Sequence, residues 1–421
     1  MCQLLIDPKL RHALQTLGVV ELRPHQLGAF ISIDRGHDVL ALLPTGSGKS
    51  LLFQLPALLD PPGTLTLVIS PLRALQDDQV TKLQAHGIST ALLNSDLSES
   101  QHAEILSAFT QTGGILYTTP EQLCRDDVRK VLQRSSLRRV VLDEAHVIAE
   151  ASDHFRAAYM DLGSFIEAFP QAQRIALTAT ATKQTRKRII RRFQLRDPDI
   201  FAVPMRRNNL HLHVKKIASP AKSLHLTAND LLYRGVENEL TEWWVNRSGS
   251  AIIYCATVAE TQTLAAWLKS KNWKALCFHG ELSQKKRKRV LNKFKTKGRS
   301  LVVATTAFGL GIDKPNVRLV IHAGLPLTMD DYVQQIGRAG RDGKKSRCVL
   351  FYRPEDFARN KQILLHGASE PDRQSYYLTN RLDALKDFVS ADCCLWKIIE
   401  KYFGEYPHQS CKHCYVCKRH L

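Results

Sequence analysis

Short apolar runs of four to six residues recur along the chain, separated by longer stretches in which apolar positions return every three or four residues. The first pattern predicts buried strands and the second amphipathic helices, and their alternation predicts a parallel sheet covered by helices. In the first half the candidate strands are Val39–Leu43, Leu65–Ser70, Ile115–Thr118, Val140–Leu142 and Ile175–Thr178. A second series, Ala251–Tyr254, Ala275–Phe278, Leu301–Ala304 and Val317–Ile321, follows a polar and basic stretch around Met205–Lys216 that reads as a linker. Beyond Cys348 the strand rhythm stops, and helical segments run into a cluster of cysteines. The expected fold is α/β, with two parallel-sheet domains in tandem and a small helical, cysteine-bearing one, at residues 1–206, 207–350 and 351–421. Ser219–Asn238 fits neither sheet.

Composition narrows the class. A chain of 421 residues is too long for one core, since single cores rarely grow past about 250 residues. Its 44% hydrophobic and 24% charged residues, without low-complexity tracts, are those of a folded globular protein. No stretch approaches the ~18 uninterrupted apolar residues of a membrane span. The start, MCQLLIDPKLRHAL, lacks the long apolar core and small-residue cleavage site of a secretion signal. An intracellular protein with no membrane partner is expected, and its ten cysteines are then thiols or metal ligands rather than disulfides.

Charge points toward a polyanionic partner, because the formal net charge is +19. From Lys183 to Lys216 eleven Lys/Arg face only Asp197 and Asp199, and from Ser283 to Arg299 nine Lys/Arg face no acid. Nearly the whole surplus therefore sits in two short stretches. The run Lys285–Arg289 (KKRKR) reads equally as a solvated helix face or a nucleic-acid patch, with a nuclear-import signal as the weaker alternative.

Nucleotide chemistry is carried by three motifs. The run Pro44-Thr45-Gly46-Ser47-Gly48-Lys49-Ser50 follows an expected strand and precedes an expected helix, the setting of a phosphate loop. Gly46 and Gly48 let backbone N–H groups close around phosphate, Lys49 would meet the β- and γ-phosphates, and Ser50 would ligate Mg²⁺. Leu43 stands where the general pattern has its first glycine. In VVLDEAH, Asp143 at the carboxyl end of a strand is placed to hold Mg²⁺, and Glu144 to deprotonate the attacking water. Arg338 and Arg341, three apart in YVQQIGRAGRDG, are predicted to share one helical face and to meet phosphate as arginine fingers. They lie in the second expected domain and the phosphate loop in the first, so hydrolysis is expected to require domain closure. ATP and Mg²⁺ are the implied cofactors.

Taken in order, these motifs resemble a helicase of superfamily two, and more narrowly the RecQ family. The resemblance runs from about Leu17 to Cys417 and also rests on LRPHQ (from Leu22), SPLRALQDDQV (from Ser70), TTPEQL (from Thr118), LTATA (from Leu177), IIYCAT (from Ile252), FHGEL (from Phe278) and VVATTAFGLGIDKPNVR (from Val302). It implies two RecA-like domains, with Arg23 and Gln26 reading adenine and Asp313 near the nucleotide. It implies that SPLRALQDDQV, TTPEQL and FHGEL line a single-strand path, and that Thr178 and Thr180 couple the domains. The function so implied is an ATP-dependent DNA helicase that moves 3′ to 5′ on single-stranded DNA and unwinds duplex, in DNA repair or recombination. Its partners would be single-stranded and partly duplex DNA. Its place would be cytoplasmic and nucleoid-associated in a bacterium, nuclear in a eukaryote.

The same resemblance implies a structural zinc site. Cys411, Cys414 and Cys417 stand three apart, and Cys394, seventeen residues before Cys411, has the spacing of the first ligand in the RecQ zinc subdomain. Four thiolates leave no open position for catalysis. His408, His413 and His420 are rivals for a ligand place, and an iron–sulfur cluster takes the same four thiolates. Cys393 is a decoy, because neighbouring helix residues point about 100° apart.

Three departures from the family bear on function. Val19 stands where an aromatic commonly stacks on adenine. The family's loop after DEAH typically reads like SQWGHDFR; here it is AEASDHFR, with Ala151 at the tryptophan position, Asp153-His154 in reverse order, and Phe155 and Arg156 kept. Loss of a stacked ring removes about 1–3 kcal/mol, so coupling of DNA binding to hydrolysis is expected to loosen. Many family members continue into winged-helix and further helical domains where this chain stops at Leu421, and the two basic stretches are expected to compensate through phosphate contacts. An ATP-driven DNA clamp that does not unwind and an RNA helicase are the alternative readings.

Overall fold

Every apolar run named for the first half is a strand, and its residues are buried on both faces, as an all-parallel sheet covered by helices demands. The structure, a computed structural model, describes residues 7–44, 46–71, 73–150, 159, 162–218, 227–245, 249–309, 314–366 and 381–419. Thr45, Asp313, His420 and the loop 151–158, all singled out from the sequence, lie outside the described residues. The chain divides into two compact units, Met1–Val203 and Pro204–Leu421.

In the first unit seven strands, β1 (Val39–Leu42), β2 (Thr64–Ile69), β3 (Thr90–Leu93), β4 (Gly114–Thr118), β5 (Ser136–Leu142), β6 (Gln173–Thr178) and β7 (Asp199–Ala202), run in the order β3-β4-β2-β5-β6-β1-β7. All pairings are parallel. The helices that bear on function are α1 (Pro24–Asp34), α2 (Leu51–Leu59), α3 (Arg73–Ala85) and α4 (Lys183–Arg192). Apolar clusters fill both faces of the sheet.

The second unit holds β8 (Leu210–Lys216), β9 (Ser250–Tyr254), β10 (Ala275–Phe278), β11 (Leu301–Ala304), β12 (Val317–Ala323) and β13 (Ser346–Tyr352), ordered β10-β11-β9-β12-β13-β8 and again all parallel. Its functional helices are α5 (Ala228–Val245), α6 (Gln284–Thr296), α7 (Met329–Ile336) and α8 (Leu395–Tyr402).

Two readings are corrected here. The stretch read as a linker is in part the edge strand β8, whose alternation Leu210-His211-Leu212-His213-Val214 buries the leucines and lets the histidines face outward. The strand rhythm does not end at Cys348, since β13 runs on to Tyr352. The unassigned stretch is, where described, the start of α5. The cysteine-bearing helices do not have a core of their own. Leu382, Leu385, Phe388, Trp396, Ile399 and Phe403 belong to one continuous cluster with Tyr332, Phe308, Val302 and Val320 of the second sheet. Glu400, fully buried on α8, lies 3.7 Å from the Arg206 guanidinium and accepts from the His408 backbone at 2.9 Å. Among the described residues no helix is long and apolar enough to cross a membrane.

His322 on β12 sits inside that cluster, stacked on Tyr254 with ring centroids 5.6 Å apart and hydrogen-bonded to Gln335 Oε1 at 2.8 Å. Burial pushes its imidazole down to about 4, from an ordinary value of 6.5. Below the ordinary value the unfolded chain takes up a proton that the folded one refuses, so this group's contribution is intact above pH 6.5 and is lost as pH falls toward 4. Urea midpoints measured across that range should fall, and His322→Gln should flatten the fall.

Candidate nucleotide site and metal centre

β1 ends at Leu42, and the chain turns through Pro44–Ser50 into α2, as expected of a phosphate loop. Gly46 and Gly48 both hold φ at +81°, the left-handed region where glycine is unstrained. A Cβ at Gly48 would lie 2.4 Å from Gln26 Nε2, so a side chain there would displace the Gln26 amide from the loop. Ser47 N–H donates to Pro44 O at 3.1 Å, and Ser47 Oγ is buried with no hydrogen-bond partner among the described residues, a place that a phosphate oxygen would fill. Lys49 Nζ donates to Leu43 O at 3.2 Å across the loop.

The residues expected to read adenine hold this loop. Gln26 Nε2 donates to Ser47 O at 3.0 Å and Gly48 O at 3.1 Å, while its Oε1 accepts from Arg23 N–H at 2.9 Å. Arg23 Nη1 donates to Gly46 O at 3.2 Å. Val19 is half-buried against the cluster formed by Leu10, Leu14 and Phe30.

β6 lies between β1 and β5, so the phosphate loop and the DEAH turn flank one strand at the carboxyl edge of the sheet, where α/β proteins bind ligands. Asp143 N–H donates to Ile69 O at 2.9 Å and Ala145 N–H to Leu177 O at 2.8 Å, which extend the ladder and fix the turn. Between them Glu144 has φ of +50°, a conformation that costs a non-glycine residue about 1–3 kcal/mol. Both carboxylates are buried. Burial and the neighbouring Glu144 hold the Asp143 carboxyl well above its usual range, and Lys49 opposes the shift. Thr178 Oγ1 donates to Thr180 O at 3.0 Å, so His146 Nδ1, 3.0 Å from that hydroxyl, carries the proton and donates to it. That bond to Thr178 ties DEAH to the LTATA stretch, and His146 Nδ1 is also 3.4 Å from Glu144 Oε2.

Sequence reasoning missed a second layer. Gln79 Nε2 donates to Ser50 Oγ at 3.1 Å, and Gln79 Oε1 accepts from Tyr117 O–H at 2.7 Å. One turn earlier on α3, Gln76 Nε2 donates to Ser70 O at 3.0 Å and Thr118 O at 2.7 Å. Gln79 fastens SPLRALQDDQV to the hydroxyl expected to ligate Mg²⁺, and Gln76 fastens it to the end of β4. Nothing in composition or spacing marks them.

Arg338 and Arg341 do not share a helical face: α7 ends at Ile336, and both stand in the turns that follow. Arg207 donates to Gly337 O at 3.2 Å and Gly340 O at 2.5 Å, and Asn209 Nδ2 to Gly340 O at 2.8 Å, so the stretch before β8 pins this turn. Gly340, at φ of +53°, would meet Asn209 Nδ2 at 2.5 Å if it bore a Cβ.

Cys394, Cys411, Cys414 and Cys417 come together, their sulfurs all within 4.8 Å of one another. A tetrahedral zinc with ~2.3 Å bonds to sulfur sets its ligands about 3.8 Å apart, so the four thiols fit such an ion. Cys394 is the N-cap of α8 rather than a residue within the helix. Cys411 and Cys414 N–H groups donate to the sulfurs of Cys394 and Cys411 at 3.3 and 3.1 Å, the usual second-layer support for thiolates. Cys393 is exposed, and His408 is bonded to Glu400 instead.

Comparison with known proteins gives the same reading. Residues 23–189 match the family described as DEAD/DEAH box helicase, 233–343 the helicase conserved C-terminal domain, and 354–418 RecQ zinc-binding. The "ATP-dependent DNA helicase RecQ" of Pasteurella multocida (strain Pm70) is 34% identical over 384 residues, 91% of this chain and 58% of that protein. The "Putative ATP-dependent RNA helicase R290" of Acanthamoeba polyphaga mimivirus is 35% identical over 405 residues, 95% of this chain and 70% of that protein. The chain belongs to the RecQ helicase family. It spans under three fifths, 58%, of the bacterial RecQ relative's length. The solved structure of Mss116p bound to ssRNA and AMP-PNP is similar with a TM-score of 0.68 at 20% identity, over 96% of this chain and 89% of that one, a likeness of fold.

Within the RecQ frame the cysteines are the zinc-binding region's only cluster of potential metal ligands among the described residues. Elemental analysis of purified protein should find about one zinc per chain, in keeping with a closed four-thiolate site. Cys414→Ser should lose it and lower the unfolding midpoint, because metal binding is coupled to folding, whereas Cys393→Ser should keep it. Iron in place of zinc would contradict the assignment.

Proposed function

We propose that this RecQ-family chain is an ATP-dependent DNA helicase that separates duplex DNA by moving 3′ to 5′ along one strand. The observation that supports it best is the grouping of Lys49, Ser50, Asp143 and Glu144 on either side of β6 at the carboxyl edge of one sheet. The three family matches in helicase order support it as well. Direction and the choice of DNA follow from the family.

In this proposal Lys49 holds the β- and γ-phosphates against the Gly46–Ser50 loop, and Ser50 and Asp143 would hold Mg²⁺, which supplies Lewis-acid charge when bound. Glu144 orients the attacking water and takes its proton. Arg23 and Gln26, which grip the loop, link adenine to phosphate, with Asp313 nearby. Arg338 and Arg341 stabilise charge on the transferred phosphoryl group. Change of grip on the single strand with the nucleotide cycle turns hydrolysis into movement. Repair or recombination in the DNA-bearing compartment is the setting proposed.

The test sets ATP hydrolysis beside strand displacement, on duplexes with 3′ or 5′ single-stranded tails of DNA or RNA. Displacement should need ATP and a 3′ DNA tail. Lys49→Ala should cut DNA-stimulated hydrolysis by about 100-fold or more while melting like the parent, since it removes one half-buried charge-stabilising donor. Hydrolysis without displacement would mean a DNA clamp, and stronger stimulation by RNA would turn the assignment toward the activity named for the mimivirus relative.

A further inference from the structure

Much of one basic stretch is taken up by the fold. Between Lys183 and Lys216, Arg186 donates to Ala181 O and Arg192 to Ile148 O, Arg196 pairs with Asp38, Arg206 with Glu400, and Lys215 with Glu239. In the other, Arg299 at the far end donates to Trp244 O at 2.8 Å, but the run at its start is not taken up. Lys285, Lys286, Arg287, Lys288 and Arg289 on α6 are all exposed, and no hydrogen bond or ion pair reaches their side chains among the described residues.

Their placement works against the helix that carries them. Ser283 caps α6, so the five cations fill its first turn and a half, where the helix dipole is positive and acids are favoured; the first turn has no acid. Lys285 and Arg289 stand at i and i+4, a repulsive pair. A solvated face under no other demand would interleave acids, as most helices do. The far end of α6 is anchored instead. The buried Lys314 ammonium donates to Phe294 O at 2.8 Å, Lys295 O at 3.3 Å and Lys297 O, and Phe294 is fully buried. The helix is therefore held at its C-terminal end and offers unpaired cations at its N-terminal end.

We propose that the first turn and a half of α6 is a docking surface for the two phosphate backbones of duplex DNA, separate from the single-strand path. At about 100° per residue five successive cations encircle the helix, so they can meet phosphates on both flanks of a groove wide enough to admit a helix. A single strand is bound in a basic groove that also offers exposed aromatic rings on which its bases stack. The only ring on α6 is the buried Phe294. The choice of DNA as polyanion rests on the proposed function.

The test uses the full chain with Lys285, Lys286, Arg287, Lys288 and Arg289 all changed to Gln, a residue of similar helix propensity. Binding is read without nucleotide, by anisotropy, on a blunt duplex and on oligo(dT), across about 50–200 mM salt. The plot of log affinity against log salt for duplex should become shallower by about 2–4, with a loss of about tenfold or more near 100 mM. Oligo(dT) affinity should stay within about threefold. The melting temperature should rise, because charges that oppose the helix dipole are gone. An unchanged duplex slope, or equal losses on both ligands, or a lower melting temperature would overturn the proposal. Since no nucleotide is present, a parent protein lacking DNA-stimulated hydrolysis would sink the helicase reading alone.

Discussion

Two buried carboxylates, adjacent in the chain, stand beside one ammonium at the carboxyl edge of a parallel sheet. Asp143 and Glu144 repel each other in a setting where water cannot screen them, and Lys49, with smaller help from the Glu144 backbone N–H and His146, favours the charged form of Asp143. Such an arrangement is costly for a protein that merely folds. It becomes sensible when a divalent cation and a polyphosphate complete the charge balance. The sheet order, the glycines of the phosphate loop, the left-handed backbone at Glu144 and the Gln26 grip all serve to hold these three groups in place.

Much of this was legible in the chain. Glycine, lysine and serine after an apolar run, and paired acids after another, announce themselves because phosphate and Mg²⁺ accept few substitutes. Most central strands were legible too, since burial on both faces writes an unbroken apolar run, and so was the edge strand β10, whereas the central β13 and the edge strands β3, β7 and β8 were not. β7 is largely exposed and β8 mixes leucine with histidine and lysine, so neither carries that signature. The helical face assigned to Arg338 and Arg341 failed because Gly337 and Gly340 end the helix, and only the bonds from Arg207 and Asn209 show what holds the turn. Gln79 was illegible for a different reason: an amide that bridges Ser50 and Tyr117 is indistinguishable in sequence from one facing solvent.

The cysteine cluster shows how a local motif acquires meaning from its surroundings. Three thiols near the end of the chain could hold a metal anywhere. Joined by Cys394 at the start of α8, they close a region whose apolar residues are continuous with the second sheet. Loss of the metal would therefore act on the packing of that unit, while Lys49, Asp143 and Glu144 lie in the other.

The central claim is that Glu144 is kept buried and strained for hydrolysis rather than for binding or stability. Glu144→Gln preserves its volume and its backbone while removing the base. The direct measurement compares affinity for Mg²⁺·ATP with single-turnover hydrolysis on single-stranded DNA in that variant. Affinity should stay within about threefold of the parent while hydrolysis falls by about 100-fold or more, the upper part of what a positioned general base contributes. Hydrolysis within tenfold of the parent would contradict the account.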